Sequence, residues 1–458
     1  MNLSEPEQIA GFALFKLGCK VNQADGDYLA NSLLDMGAQL VEASQAELII
    51  VTTCTVTGEA DSKARKTVRR LLAKNPRAWL LACGCAVAIN KESYSSLGER
   101  VVVQADLASA LREACRLLGL AGRVEDRAAS TQRPLGYCGQ SGTEGLSGTS
   151  EQSGPHKQTN SSIQFDSNIQ TYSTQRPANR QRQYLKIQDG CDSACSYCIV
   201  HVARGPAVSL SLSELVANAR QAEAKGLREL VLTGVNLGSY QDQTEGLCDL
   251  LQALLNNTSN CRYRLSSLEP LHLSERLIDL IASSEHRICA HLHLPLQSAS
   301  DEVLSRMNRP YTSSEYSERV ALARDRLPHL ALSTDVIVGF PGETDSDFRA
   351  TLDFCRRMAF MRLHVFCYSR RPGTPAAAFA GQVSAEVKAE RSLELRQLAE
   401  QLTQADLQKR LGQRELVLIE RPGLGRAESY HQVRLDAALP VGDLVELCFS
   451  GIREQMLE

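Results

Sequence analysis

The chain has 458 residues, 43% of them hydrophobic and 22% charged, with a formal net charge of −3. This composition excludes a disordered or fibrous chain and lacks the overall basic excess of a nucleic-acid binder, so local patches must decide any such role. No apolar run is long enough to span a bilayer and the polar start "MNLSEPEQIA" is not a signal peptide, so a cytoplasmic location with 15 reduced cysteines and no membrane partner is expected.

Residues 9–124 read as one unit of alternating strands and helices. "FALFKLG" is a strand, "QADGDYLANSLLDMGA" a helix ending at Gly37, and "AELIIVTTC" a buried strand. Residues 61–74 form a second helix, followed by the strands "AWLLACGC" and "RVVVQ" and the helix "LASALREACRLLG". Such alternation predicts a parallel α/β sheet. Cysteines end its strands: Cys19, Cys54 and the pair Cys83 and Cys85. Ligands of open α/β sheets sit beyond the carboxyl ends of the strands, so these loops are placed to converge. Residues 61–77 carry Lys63, Arg65, Lys66, Arg69, Arg70, Lys74 and Arg77 against Asp61. A solvated helix face and an RNA contact are equally good readings of that run.

Residues 125–178 are rich in Ser, Gly, Gln and Thr and read as a flexible linker or insert. Cys138 and His156 within it are taken as incidental. Residues 179–405 return to strand–helix units, with strands "YLKIQ", "ELVLTG", "RYRLSSLEP", "CAHLHLPLQS", "ALSTDVIVGF" and "RLHVFCYS". About six βα units predict a complete or partial (β/α) barrel with its chemistry at the carboxyl ends of the strands. Residues 406–458 hold short strands between Gly and Pro turns and predict a small β-barrel. The fold class is thus α/β, with three folded units.

"DGCDSACSYCIV" follows the first barrel strand and sets Cys191, Cys195 and Cys198 in a C-x₃-C-x₂-C spacing. Structural zinc takes four ligands, and a disulfide would strand the third thiol. Three thiolates on one loop suit a [4Fe–4S] cluster with one iron left open for a further ligand.

This motif, with Tyr197 before the last cysteine, resembles that of the radical S-adenosylmethionine enzymes. The segments "LGCKVNQ", "TTCTVT" and "CGCAV" resemble the three N-terminal signatures of the methylthiotransferase family. "LTGVNLGSY", "SSLEP", "LHLPLQSASDEVLSRMNRPYT" and "STDVIVGFPGETDSDF" extend the resemblance over nearly the whole chain outside 125–178. The family implies an N-terminal cluster domain, a radical S-adenosylmethionine barrel and a C-terminal TRAM domain. It implies two [4Fe–4S] clusters, one on Cys191, Cys195 and Cys198 and one on Cys19, Cys54 and Cys85, the last preferred to Cys83 because it completes a Gly-Cys pair. It also implies that the open iron chelates S-adenosylmethionine and that two such molecules are used per product.

"GCKVNQ" and "MNRPYT" look most like the branch acting on N6-threonylcarbamoyladenosine at position 37 of tRNA. The isopentenyladenosine branch and the ribosomal-protein aspartate branch carry other residues after the first Gly-Cys. The resemblance implies the tRNA anticodon loop, an electron donor such as a flavodoxin or ferredoxin, and a sulfur source as partners. Relatives tend to place two arginines where Val208 and Leu210 stand here, and residues 411–458 have five Lys/Arg against eight Asp/Glu. An RNA-binding protein with structural clusters is the rival of another class.

Thr233, Gly234, Asn236, Glu269 and Gln297 lie at strand ends and, with Tyr197, are candidate cofactor contacts; an ordinary βα loop competes for the first three. Asp335 in an apolar strand needs partners. His291 and His293 share a strand face and are assigned to packing or hydrogen bonding.

Overall fold

The computed structural model describes residues 10–120, 170–171 and 181–458. The N-terminal unit runs β1 (Gly11–Lys16), α1 (Lys20–Asp35), β2 (Gln39–Leu40), β3 (Leu48–Thr53), α2 (Gly58–Lys74), β4 (Trp79–Gly84), α3 (Cys85–Ile89), α4 (Glu92–Ser95), β5 (Val101–Gln104) and α5 (Leu107–Leu117). Its strands pair in parallel in the order β2-β1-β3-β4-β5. Apolar residues fill both faces, Leu14, Leu29 and Ile50 on one and Ile49, Val68 and Leu80 on the other, as expected of a sheet covered by helices on both sides. The expected insert 125–178 lies outside the described residues except for β6 (Gln170–Thr171), which pairs antiparallel with β1. Helix α1 begins three residues before the span expected from its apolar period, at Cys19 as N-cap. Thr57 caps α2 by accepting from the Ala60 amide, which also starts that helix earlier than its basic run.

The second unit contains β7 (Arg182–Lys186), β8 (Gln188–Asp189), α6 (Val200–Arg204), β9 (Val208–Ser209), α7 (Leu212–Ala224), β10 (Glu229–Thr233), β11 (Gln241–Asp242), β12 (Glu245–Gly246), α8 (Leu247–Asn257) and β13 (Arg262–Leu265). It continues through α9 (Glu275–Ser283), β14 (His291–His293), α10 (Asp301–Arg306), α11 (Ser313–Arg326), β15 (Ala331–Val338), α12 (Asp345–Met358), β16 (Arg362–Cys367) and α13 (Ala385–Lys409). Strands β7-β10-β13 and β14-β15-β16 form two parallel triplets. Parallel bridges from Tyr263 to Ile288 and from Ser267 to His293 join them into six strands in chain order. This is the partial barrel. Leucines on its outward strand faces and inward helix faces make the largest core. Each buried one is worth about 1.5–3 kcal/mol.

The third unit has β17 (Arg414–Arg421), β18 (Leu424–Ala427), β19 (Gln432–Arg434), β20 (Leu444–Cys448), β21 (Ile452–Arg453) and β22 (Met456–Leu457), in a mixed sheet ordered β20-β17-β18-β19-β22-β21. Helix α13 runs from the barrel into this unit, so the expected boundary at 405/406 falls inside the helix. The sheet docks on the amino-terminal ends of the barrel strands through a buried charge network. Glu229, at 0% exposure, accepts from Arg262 and Arg264. Those arginines in turn donate to the backbone carbonyls of Leu416, Arg426, Ala427 and Glu428.

The N-terminal unit lies across the open side of the partial barrel and touches both of its edge strands. Helix α1 packs on β7. At the other edge, the Gly58 amide donates to Ser369 Oγ at 3.0 Å, and Arg371 donates to Thr55 Oγ1. The carboxyl ends of β1, β3 and β4 therefore face the barrel lumen. Among the described residues no helix is long and apolar enough to cross a membrane.

Candidate active site

Cys191, Cys195 and Cys198 occupy the loop between β8 and α6, where the backbone folds back on itself. Gly190 has φ +71°, and a Cβ there would sit 1.9 Å from the Pro206 carbonyl oxygen, so the Gly-Cys step is sterically required. Each sulfur already receives a donor. The Ser193 amide points at Cys191 Sγ and the Val200 amide at Cys198 Sγ, both at 3.4 Å, and Arg309 Nη1 reaches Cys195 Sγ at 3.3 Å. Burial, helped by the neighbouring sulfurs, pushes the Cys198 thiol up to about 12.

The three N-terminal cysteines converge at the carboxyl rim of their sheet. Cys19 caps α1, Cys54 follows β3 and Cys85 opens α3. A Cβ on Gly18, at φ +105°, would lie 2.5 Å from Cys54 Cβ and 2.9 Å from its Sγ. Only glycine lets the Cys19 backbone come this close to Cys54. Burial pushes the Cys54 thiol up to about 12, with the charges of Cys19 and Cys85 adding to it. Cys83 instead lies in the hydrophobic layer between β4 and its covering helices, its sulfur 3.8 Å from the Val51 carbonyl.

Both triads fit a [4Fe–4S] cluster. Each supplies three sulfurs for four irons, and thiols held up by burial ionise when a cationic cluster offsets their charge. The N–H donors aimed at the sulfurs are those that stabilise ligating thiolates.

Two arginines that the sequence reading left without a role organise the site. Arg204, at 4% exposure, donates from Nε to Cys85 Sγ at 3.0 Å. Its Nη1 binds both Asp189 oxygens at 2.8 and 2.9 Å, and its Nη2 binds Asn22 Oδ1 at 2.5 Å and Asp25 Oδ2 at 3.1 Å. Lys186 bridges the same Asp25 and Asp189 at 2.6 and 3.0 Å. Burial acts to raise the Asp189 pKa, but Arg204 and Lys186 outweigh it and hold the group at about 2. This buried network joins the two cysteine loops. Arg309 does the corresponding work within the barrel, linking Cys195 to Glu269 and to the Tyr311 hydroxyl.

The remaining candidates divide by what their polar atoms do. Glu269 reaches the rim and pairs with Arg309. Tyr197 packs against the small cluster of Val303, Met307, Phe340, Tyr368 and Ala376 beside the cysteine loop. Gly234 lies against Gln188, whose Oε1 would be 2.8 Å from a Cβ there. Thr233 donates to the Val231 carbonyl, and Asn236 bonds Gly238 and Ser239 of its own loop. Gln297, at φ +65°, makes backbone bonds to Asp335 and Ile337. On the lumen face below, His293 Nε2 lies 3.3 Å from Asp335 Oδ2, and His364 stands opposite Asp335 in register. His291 packs on Tyr430, ring centroids 5.0 Å apart.

Residues 185–355 match the radical SAM superfamily, and residues 12–104 match uncharacterized protein family UPF0004. A threonylcarbamoyladenosine tRNA methylthiotransferase, MtaB, of Chlamydia pneumoniae is 32% identical over 90% of this chain and 87% of its own length. The chain belongs to the radical S-adenosylmethionine tRNA methylthiotransferase family. It is a transferase whose cofactors are [4Fe–4S] clusters and S-adenosylmethionine. The Bacillus subtilis MtaB is 32% identical over 86% of this chain and 81% of that one. The tRNA-2-methylthio-N(6)-dimethylallyladenosine synthase of Pelotomaculum thermopropionicum is 30% identical over 89% and 86%. Among solved structures, the radical S-adenosylmethionine methyltransferase TsrM of Kitasatospora setae shares the fold, with a TM-score of 0.53 and 16% identity over 81% of this chain and 75% of that one.

The contrast between Cys83 and Cys85 is directly testable in this methylthiotransferase. Cys83→Ala should keep the full iron content and cost about 1 kcal/mol of stability, the usual price of a small core deletion. Cys85→Ala should lose the N-terminal cluster. Iron analysis after anaerobic reconstitution reads both, and cluster loss in Cys83→Ala with retention in Cys85→Ala would reverse the assignment.

Proposed function

We propose that this chain adds a methylthio group to C2 of N6-threonylcarbamoyladenosine at position 37 of tRNA, acting in the cytoplasm. Cys191, Cys195 and Cys198 would hold the radical cluster, and Cys19, Cys54 and Cys85 the second one. The observation that carries this reading is the placement of both cysteine triads around one lumen, with Arg204 bonded into both loops. When bound, the cofactors supply reductive cleavage of S-adenosylmethionine at one triad and a docking point for the transferred sulfur at the other.

The chain's own residues prepare for this. Arg309 and the amides of Ser193 and Val200 give hydrogen bonds to the sulfurs of the 191–198 loop. Arg204, Asp189 and Lys186 hold the N-terminal rim at a fixed position over the barrel. Glu269 and Tyr197, beside the same loop, are the best-placed cofactor contacts; Gly234 is buried against Gln188, while Thr233, Asn236 and Gln297 support the surrounding loops. An electron donor such as a flavodoxin or ferredoxin and a sulfur source are the partners this chemistry requires. C2 of a stacked purine is out of reach, and an anticodon loop gives up a base more readily than a duplex does. The exposed residues Lys63, Lys66, Arg69 and Arg70 of α2 offer a phosphate-binding face beside the barrel edge.

Relatives of the threonylcarbamoyl and dimethylallyl types match at nearly equal identity, so the substrate must be tested directly. Nucleoside mass spectrometry of tRNA from a strain lacking the chain should show loss of 2-methylthio-N6-threonylcarbamoyladenosine and accumulation of its unthiolated precursor. Loss of the dimethylallyl product would move the chain to that branch. A normal nucleoside profile with an unmodified ribosomal protein would move the substrate to protein. A reconstituted enzyme that released no 5′-deoxyadenosine would favour structural clusters in an RNA-binding protein.

A further inference from the structure

Lysine at the start of a helix is electrostatically misplaced, because the amino end of the helix already carries partial positive charge. Lys20 is the first residue of α1, and the first turn of that helix contains no acid to compensate it. Its neighbours in the fold are treated differently. Lys16 pairs with Asp27, and Lys186 with Asp25 and Asp189. Among the described residues Lys20 has no carboxylate within ion-pair distance. Its ammonium points into the barrel lumen and lies 5.6 Å from the Tyr430 ring centroid. There its charge bears on Asp335, His291 and His364.

Arg362 acts on the same two imidazoles from the first position of β16. Strand alternation puts it on the face that carries His364. It too has no ion-pair partner among the described residues. Desolvation by the lumen walls, and then these cations with His293, outweigh the pull of Asp335 and hold His364 down at about 4, so it is neutral at physiological pH. Two cations thus stand against one carboxylate, Asp335, which is already engaged by His293. His293, Asp335 and His364 bring ligand atoms within 4.8 Å of one another. A divalent metal there would have to sit beside Lys20 and Arg362, whereas an anion gains from both.

We propose that Lys20 and Arg362 form an anion pocket in the lumen that receives the carboxylate of the substrate's threonylcarbamoyl group, making Lys20 a specificity-determining residue. The inference rests on the substrate read above. A dimethylallyl group has no charge and gives an unpaired ammonium nothing in return, whereas the threonine carboxylate pairs with it while the adenine stays near the cysteine loops.

The test uses the reconstituted full chain and two anticodon stem-loop RNAs. One bears N6-threonylcarbamoyladenosine. The other bears its cyclised form, in which the carboxylate is consumed and the charge lost. Lys20→Gln should raise KM for the charged RNA about tenfold to a hundredfold, the range for losing a charge-assisted hydrogen bond. It should change KM for the cyclised RNA less than threefold, and Lys20→Arg should restore most of the loss. Arg362→Gln, distant in sequence from any cluster cysteine, should show the same charge-dependent pattern, and iron content checks that Lys20→Gln still loads both clusters. An unchanged KM for the charged RNA in both glutamine variants would overturn the pocket and leave the substrate assignment intact. A wild-type enzyme that ignored the threonylcarbamoyl RNA but modified a dimethylallyl one would overturn the assignment itself, and the pocket with it.

Discussion

Replacing Cys191, Cys195 and Cys198 together by alanine is expected to remove about half of the eight irons that two four-iron clusters bring, and to abolish release of 5′-deoxyadenosine from S-adenosylmethionine. The reason is local. These three thiols share one loop, and the donors from Ser193, Val200 and Arg309 have no other sulfur to serve. The matching triple replacement of Cys19, Cys54 and Cys85 should remove the other half of the iron, keep reductive cleavage and stop methylthio transfer. Iron analysis and product chromatography under anaerobic conditions separate the two. A 191–198 variant that still cleaved S-adenosylmethionine would place the radical site elsewhere.

The second large effect is expected at Glu229, far from the chemistry. Burial would raise its pKa, but Arg264 and Arg262 pull it well below the usual carboxylate range, so it is charged inside the protein. Glu229→Gln leaves two buried guanidinium groups without a counter-charge. Breaking a buried pair this way costs about 3–5 kcal/mol. Denaturation of the variant, followed by circular dichroism, should show a lower midpoint. Limited proteolysis should release the 414–458 sheet, because the same arginines hold its backbone. The pH dependence has a definite sign. A depressed carboxylate contributes stability that is fully present above its unfolded pKa, about 4.3, and lost as pH falls toward the folded value. The wild type should therefore weaken below about pH 5, and part of that slope should vanish in Glu229→Gln. A variant as stable as the wild type at pH 7 would show that the carbonyl acceptors alone satisfy the arginines.

The period of the apolar residues made the six barrel strands and the parallel N-terminal sheet legible, because buried parallel strands are nearly continuous apolar runs. The cysteine loops were legible because their spacing is local. Arg204 was not, since its partners Asn22 and Asp25 lie 182 and 179 residues away. Nor was the buried polar face of α1. Asn22, Asp25 and Asp27 look like the solvated face of a helix, yet all three are buried. Polar residues at helical spacing signal water unless a partner of opposite charge is delivered from elsewhere in the chain, and here Lys16, Lys186 and Arg204 are the partners. Thr233 and Asn236 show the converse. Position at a strand end marked them, but not where their side chains turn: Thr233 bonds back to Val231 in its own strand, and Asn236 to Gly238 in its own loop.

The seam through Arg204 also decides how this enzyme can be engineered. Two sheets with separate cores look interchangeable between relatives, and a chimera joining one enzyme's N-terminal half to another's barrel is an obvious construction. The half supplied must bring an amide at position 22, a carboxylate at position 25 and a cysteine at position 85 in the register that one guanidinium already reads. A half that misses any of them leaves Arg204, Asp189 and Lys186 buried and imperfectly matched. The unit of exchange in this fold is therefore the pair of halves together with the arginine between them.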